Sequence, residues 1–209
     1  REARTRNRAA RLTRMGRAVV TEMNRVGMVV DMSHSGERST LEAIAHSTRP
    51  ITISHANPHN WHAALRNKSD TVLKALGESG GMLGFSVYPH HLKGGSDCTL
   101  QSFCDMIART ADLMGEDHIG IGTDLCQDQP DSIVEWMRTG RWTKTIDYGE
   151  GSAAAPGFPA MPDWFEDNRH FGNVAKGLAA AGLTKAQTDK IMGGNWHRFF
   201  ASSFGPKDT

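Results

Sequence analysis

Three polar side chains stand directly behind short apolar runs, and their types suit metal chemistry. His34 follows Val29-Val30-Asp31-Met32-Ser33, His55 follows Ile51-Thr52-Ile53-Ser54, and Asp124 follows Ile119-Gly120-Ile121-Gly122-Thr123. If each run is a strand of a parallel α/β sheet, all three lie at C-terminal strand ends, where side chains distant in sequence converge on one face. Two neutral imidazoles with carboxylates make a borderline-soft donor set that suits zinc, and a water on such an ion becomes a nucleophile near neutral pH. Strand-end position alone does not separate a ligand from a hydrogen-bonded histidine, and the chain holds 10 histidines. His59, His62, His90 and His91 follow the second and third runs and would line the mouth of such a face. His46, His118, His170 and His197 fall in helical stretches or at the start of a strand, where a structural role is expected. Arg66 has the planar donors to hold a carboxylate if it faces the mouth, and is a solvated helix end if it does not.

The elements that must position these residues alternate. An amphipathic stretch over residues 12–25, with Leu12, Met15, Val19 and Met23 at helical spacing, stops at Gly27. A strand is expected over 28–33, a helix over 37–46 and a strand over 51–54. A helix capped by Ser69 follows to residue 78, then a strand over 82–87, a helix over 100–114 and a strand over 118–123. Short apolar strands separated by helices predict an α/β fold of parallel βα units. Beyond Asp124 a helix is expected over 131–138, then a Gly/Ala/Pro-rich loop up to Pro162 lying over one face. Helices over 171–180, 184–192 and 195–200 close the chain.

Composition narrows the function classes. The 209 residues carry 24 basic and 23 acidic side chains, a formal charge of +1, so no global field favours nucleic acid or an anionic membrane. The basic crowd Arg1, Arg4, Arg6, Arg8, Arg11, Arg14 and Arg17 reads as the exposed face of a helix. Cys98, Cys104 and Cys126 form no C-x-x-C pair, which fits a reducing compartment, and a cytoplasmic location is expected. No run is long and apolar enough for a transmembrane segment.

The runs from Gly27 to His34 and from Arg49 to His55, the pair Arg66-Asn67, the strand end from Gly120 to Asp124 and the closing segment from Gly194 to Phe199 together resemble segments of the renal, or membrane, dipeptidase family (peptidase family M19, amidohydrolase-like hydrolases), in its bacterial branch. The run from Gly27 to His34 is similar to the family's G-x-x-x-D-x-S/A-H segment. The run from Arg49 through Pro50 to Ser54 and His55 resembles its R-x-P-x-x-x-S-H segment. Arg66-Asn67 matches an R-N pair, Gly120 to Asp124 a G-x-G-x-D strand end, and Gly194-Asn195-Trp196 with Phe199 the closing helix. The resemblance implies a (β/α)8 TIM-type barrel of which this chain supplies the C-terminal half, about four βα units forming a single partial hydrolase domain over residues 1–209. It implies that His34 and His55 bind the second zinc of a two-zinc site and that Arg66 holds the C-terminal carboxylate of a dipeptide substrate. Asp124 would transfer a proton and contact the substrate amino group, while a metal-bound hydroxide attacks the peptide carbonyl.

The family's first zinc comes from a His-x-Asp pair, and no His-x-Asp occurs in this sequence. A bridging glutamate has no counterpart either. At most one zinc is therefore well supported, and a half barrel with two unpaired sheet edges invites a homodimer or the missing N-terminal half as partner. Two functions follow: a zinc-dependent dipeptidase impaired in this form, or a non-catalytic fragment or binding module with a weak single-metal site.

Overall fold

A computed structural model describes residues 10–139, 152–155 and 157–205. Arg1, Arg4, Arg6 and Arg8 and much of the Gly/Ala/Pro-rich loop lie outside them.

Helix α1 (Arg14–Val26) begins where the Thr13 hydroxyl accepts from the Gly16 amide, and ends at Gly27 in the left-handed region at φ 74°. A side chain at Gly27 is excluded twice, because a Cβ there would stand 2.1 Å from the Gly205 backbone. Helix α2 (Glu37–His46) leads to β1 (Thr52–Ile53), α3 (Asp70–Glu78, capped by Ser69) to β2 (Met82–Phe85), and α4 (Leu100–Met114, capped by Thr99) to β3 (Ile119–Ile121). The sheet is parallel with spatial order equal to chain order. Thr52 pairs with Met82, and Gly84 with Gly120.

The strand expected over 28–33 is reduced to a single parallel bridge between Asp31 and Thr52. The ladder starts normally, with Thr52 N donating to Val30 O and Met32 N to Thr52 O, both at 2.9 Å. Side chains then take over both groups of the next rung. The Ser54 amide donates to Asp31 Oδ1 at 3.1 Å, and the Met32 carbonyl accepts from Lys68 Nζ at 3.0 Å. Backbone pairing stops because polar side chains satisfy the same donors and acceptors.

The buried core lies between sheet and helices: Ile51, Ile53, Leu83, Phe85 and Ile119 from the strands, Leu73, Leu76, Phe103 and Ile107 from α3 and α4. After β3 come α5 (Asp131–Thr139), α6 (Phe171–Ala180) and α7 (Lys185–Asp189), then one wide turn (Lys190–Gly194) and α8 (Asn195–Ser203). Helix α6 packs on α4. The expected helix over 184–192 is thus an α-helical start and a wide turn, and Gly193 at φ 156° separates it from the helix that begins at Asn195. That break sets Asn195 and Trp196 against the sheet. Asn195 Nδ2 donates to the Glu116 and Ile119 carbonyls and Trp196 Nε1 to Ile121 O. The indole lies so close to β3 that a Cβ on Gly120 would stand 2.5 Å from Nε1.

Candidate active site

The chain crosses the top of the sheet at two close approaches. A Cβ on Gly84 would stand 1.9 Å from the Ser54 carbonyl oxygen, and one on Gly122 would stand 1.8 Å from the same atom. Glycine at both positions lets the Ser54-His55 turn lie flat over β2 and β3. The turn after Asp31 lies beside it, and Asp124 follows β3 with φ 54°, a left-handed conformation that a non-glycine residue seldom adopts outside functional or turn positions.

These three turns bring His34, His55 and Asp124 together, with Arg66. His34 Nε2 lies 2.9 Å from His55 Nε2, Arg66 NH1 lies 3.4 Å from the same nitrogen, and Asp124 Oδ1 lies 4.0 Å from it. Burial, the Arg66 guanidinium and His55 together hold the His34 imidazole below its ordinary pKa, against the pull of Asp124 and Asp31. A neutral imidazole is the form that binds a metal.

The donor set can be tested against an ion. Two nitrogens on one tetrahedral zinc stand about 3.3 Å apart, from Zn–N bonds of about 2.05 Å. The observed 2.9 Å separation of two facing Nε2 atoms fits a shared ion after a small spread. Among the described residues no group of three or more His, Cys, Asp or Glu side chains is gathered around one point. The pair by itself would supply only part of a coordination sphere.

Beneath the pair lies a hydrogen-bond network for which residue types alone gave no role. Asp31 Oδ1 accepts from the Ser33 amide, the Ser33 hydroxyl and the Ser54 amide, and Oδ2 accepts from the Ser54 hydroxyl at 2.5 Å. Burial pushes the Asp31 carboxyl up, but these hydrogen bonds outweigh it and hold the group below the usual carboxylate range. Lys68, 5% exposed, donates to the Met32 and Ser35 carbonyls on either side of His34. Burial brings its ammonium down to about 8. The signal available in the sequence was an aspartate inside an apolar strand.

Of the histidines expected at the mouth, His91 is instead 2% exposed. Its Nδ1 lies 2.8 Å from the Ser86 hydroxyl, and burial takes its pKa down to about 3, so it is a neutral core residue. His59 Nδ1 lies 3.3 Å from the Ala64 carbonyl. Beyond Asp124, a cleft of about 330 Å³ opens between Tyr88, Leu125, Asp128, Met161 and Glu166. Among the described residues no helix is long and apolar enough to cross a membrane.

Comparison with known proteins identifies the family and the fold. Residues 1–137 match the model of the membrane dipeptidase family, peptidase family M19. A dipeptidase, tcpJ, of Claviceps purpurea is 27% identical over 185 residues, 88% of this chain and 36% of its own. An amidohydrolase crystal structure from Pseudomonas aeruginosa superposes with a TM-score of 0.81 at 32% identity, over 93% of this chain and 58% of that one. A metallopeptidase from Rhodobacter sphaeroides, solved with a phosphinate mimic of the dipeptide L-Ala-D-Ala, shares the fold at TM-score 0.72 and 21% identity, over 92% of this chain and 47% of its own. The chain therefore spans between about a third and three fifths of the length of these relatives, and its three-stranded parallel sheet, with the Asp31 bridge beside β1, is part of a (β/α)8 barrel where about four βα units were expected.

Proposed function

The chain belongs to the membrane dipeptidase family, peptidase family M19, and on that premise we propose that it carries the second-metal and substrate-binding part of a zinc-dependent dipeptidase. The observation that supports this most is the convergence of His34, His55, Arg66 and Asp124, from four separate segments, within 4.0 Å of one imidazole nitrogen.

His34 and His55 would hold the ion through Nε2. Zinc held there would supply Lewis acidity and lower the pKa of a water toward neutrality. Arg66 would clamp the C-terminal carboxylate of the dipeptide, fixing the peptide bond over the pair. Asp124 would accept the proton lost as the new C–O bond forms, and return it to the amine nitrogen as the C–N bond breaks. It would also contact the substrate amino group.

In this reading residues 1–209 form one partial hydrolase domain. The first zinc, its bridging glutamate and the N-terminal half of the barrel would come from further chain or from a partner, a second copy included. The three free cysteines support a reducing, cytoplasmic setting. A second reading, a binding module with one weak metal site, is favoured by the lack of a third gathered ligand among the described residues.

The test is His55→Ala in the longest natural chain that contains these residues, followed by zinc content and dipeptide hydrolysis. The dipeptidase reading predicts two zinc ions in the parent, fewer in the variant, and loss of turnover. Unchanged turnover contradicts it, and one ion or none with no turnover in the parent favours the binding module.

A further inference from the structure

The hydrogen bonds around His55 can be resolved proton by proton. The Ser54 hydroxyl has one hydrogen and three partners, Asp31 Oδ2 at 2.5 Å, His55 Nδ1 at 2.8 Å and, more distantly, the Ser33 hydroxyl at 3.2 Å, whose own hydrogen goes to Asp31 Oδ1 at 2.6 Å. Asp31 is surrounded by donors: two amides and the Ser33 hydroxyl on Oδ1, and the Ser54 hydroxyl on Oδ2. It acts as a carboxylate and takes the Ser54 hydrogen. The Ser54 oxygen is left to accept, so the proton between it and the ring belongs to His55 Nδ1. The opposite side of the ring gives the same answer independently. Arg66 can only donate, and its NH1 lies 3.4 Å from His55 Nε2, a long contact that favours a lone pair on that nitrogen. His34 Nε2, at 2.9 Å, then donates to that lone pair when no ion is present.

We infer that Asp31 and Ser54 are positioning residues: they lock His55 in the Nδ1–H tautomer, so that its Nε2 lone pair points into the site before any metal arrives. Ser33 braces the same arrangement, its hydroxyl donating to Asp31 and accepting from the His55 amide at 3.2 Å. The arrangement is a carboxylate acting on a ligand imidazole through one serine, and such outer partners typically change metal affinity by about 10- to 100-fold. The inference rests on the reading of His55 as a ligand, but the tautomer is observable without it.

The experiment is a long-range proton–nitrogen NMR spectrum of metal-free protein carrying nitrogen-15 histidine, with zinc affinity measured by competition against a chromophoric chelator. The expected result is a protonated Nδ1 and bare Nε2 on His55. Ser54→Ala should move the ring toward the Nε2–H form and weaken zinc by about 10- to 100-fold, and Ser54→Thr, which keeps the hydroxyl, should restore both. A protonated Nε2 in the parent overturns the inference and needs no variant to fold. A tautomer or a zinc affinity untouched by Ser54→Ala overturns it as well. If the tautomer and affinity respond as expected in a protein that hydrolyses no dipeptide, the dipeptidase reading falls and the positioning role stands.

Discussion

The two ends of the parallel sheet are built from similar residue types and do different work. At the C-terminal end, His34 and Arg66 turn polar atoms onto His55 Nε2, at 2.9 and 3.4 Å, and Asp124 faces the same nitrogen at 4.0 Å. At the N-terminal end the polar side chains are spent on backbone carbonyls. Arg49 NH1 donates to Ser203 O at 3.0 Å and Gly205 O at 2.7 Å, the His118 Nδ1 lies 3.0 Å from Gly81 O, and Asn195 reaches Glu116 O and Ile119 O. One end ties helix α8 and the residues after it to the sheet, and the other gathers side chains against one another, the arrangement on which the proposed metal site rests. This division is the one expected of barrel-type sheets, with chemistry at strand C-termini and stability at the opposite face. Arg49 and His55 thus belong to one short sequence motif yet serve opposite ends of β1.

Substitutions can break the contrast from either side. The largest effect is expected from Asp124→Asn in the active protein: kcat for dipeptide hydrolysis should fall about 100- to 10,000-fold, with the thermal midpoint nearly unchanged. A matching loss of stability would erase the distinction. Arg49→Ala should do the reverse. Two charge-assisted hydrogen bonds are lost around a guanidinium that is only 9% exposed, so unfolding free energy should drop by about 4 kcal/mol in denaturant titration, with kcat/KM of the folded fraction retained.

Lys68 sharpens the comparison, because it sits beneath the site yet acts on stability. Its folded pKa, about 8, is below its unfolded value. Below pH 8 both states are protonated and the burial penalty is felt in full. Between pH 8 and the unfolded pKa only the unfolded state holds the proton, so stability rises with pH through that window, by at most about 3 kcal/mol. Lys68→Met should flatten this rise in pH-dependent denaturation curves, and an unchanged slope would contradict the assignment. The smallest effect is expected from His118→Ala, about 1 kcal/mol of stability for one lost hydrogen bond, with activity intact.

Much of this arrangement was legible in the residues. Helices Glu37–His46, Leu100–Met114 and Phe171–Ala180 end where their spacing and flanking residues say. That His34, His55 and Asp124 would meet was legible as polar groups behind apolar runs of parallel strands, which the structure brings to one end of the sheet; their position alone did not separate a ligand from a hydrogen-bonded histidine. The Asp31 network was not legible. It depends on the register between Asp31 and Thr52, which sets Ser54 beside Asp31, and on Lys68 arriving from 36 residues away. The same network shortened the first strand. The role of Gly84 and Gly122 was hidden for a similar reason: a glycine in a strand does not announce which carbonyl will lie against it.

The most direct test is a crystal of the protein grown with zinc and measured on both sides of the zinc absorption edge. An anomalous peak bonded to Nε2 of both His34 and His55, with Asp124 facing it, is the predicted result. Zinc elsewhere on the molecule, with that pair still in mutual contact, would contradict the assignment of this end of the sheet as the metal-dependent site.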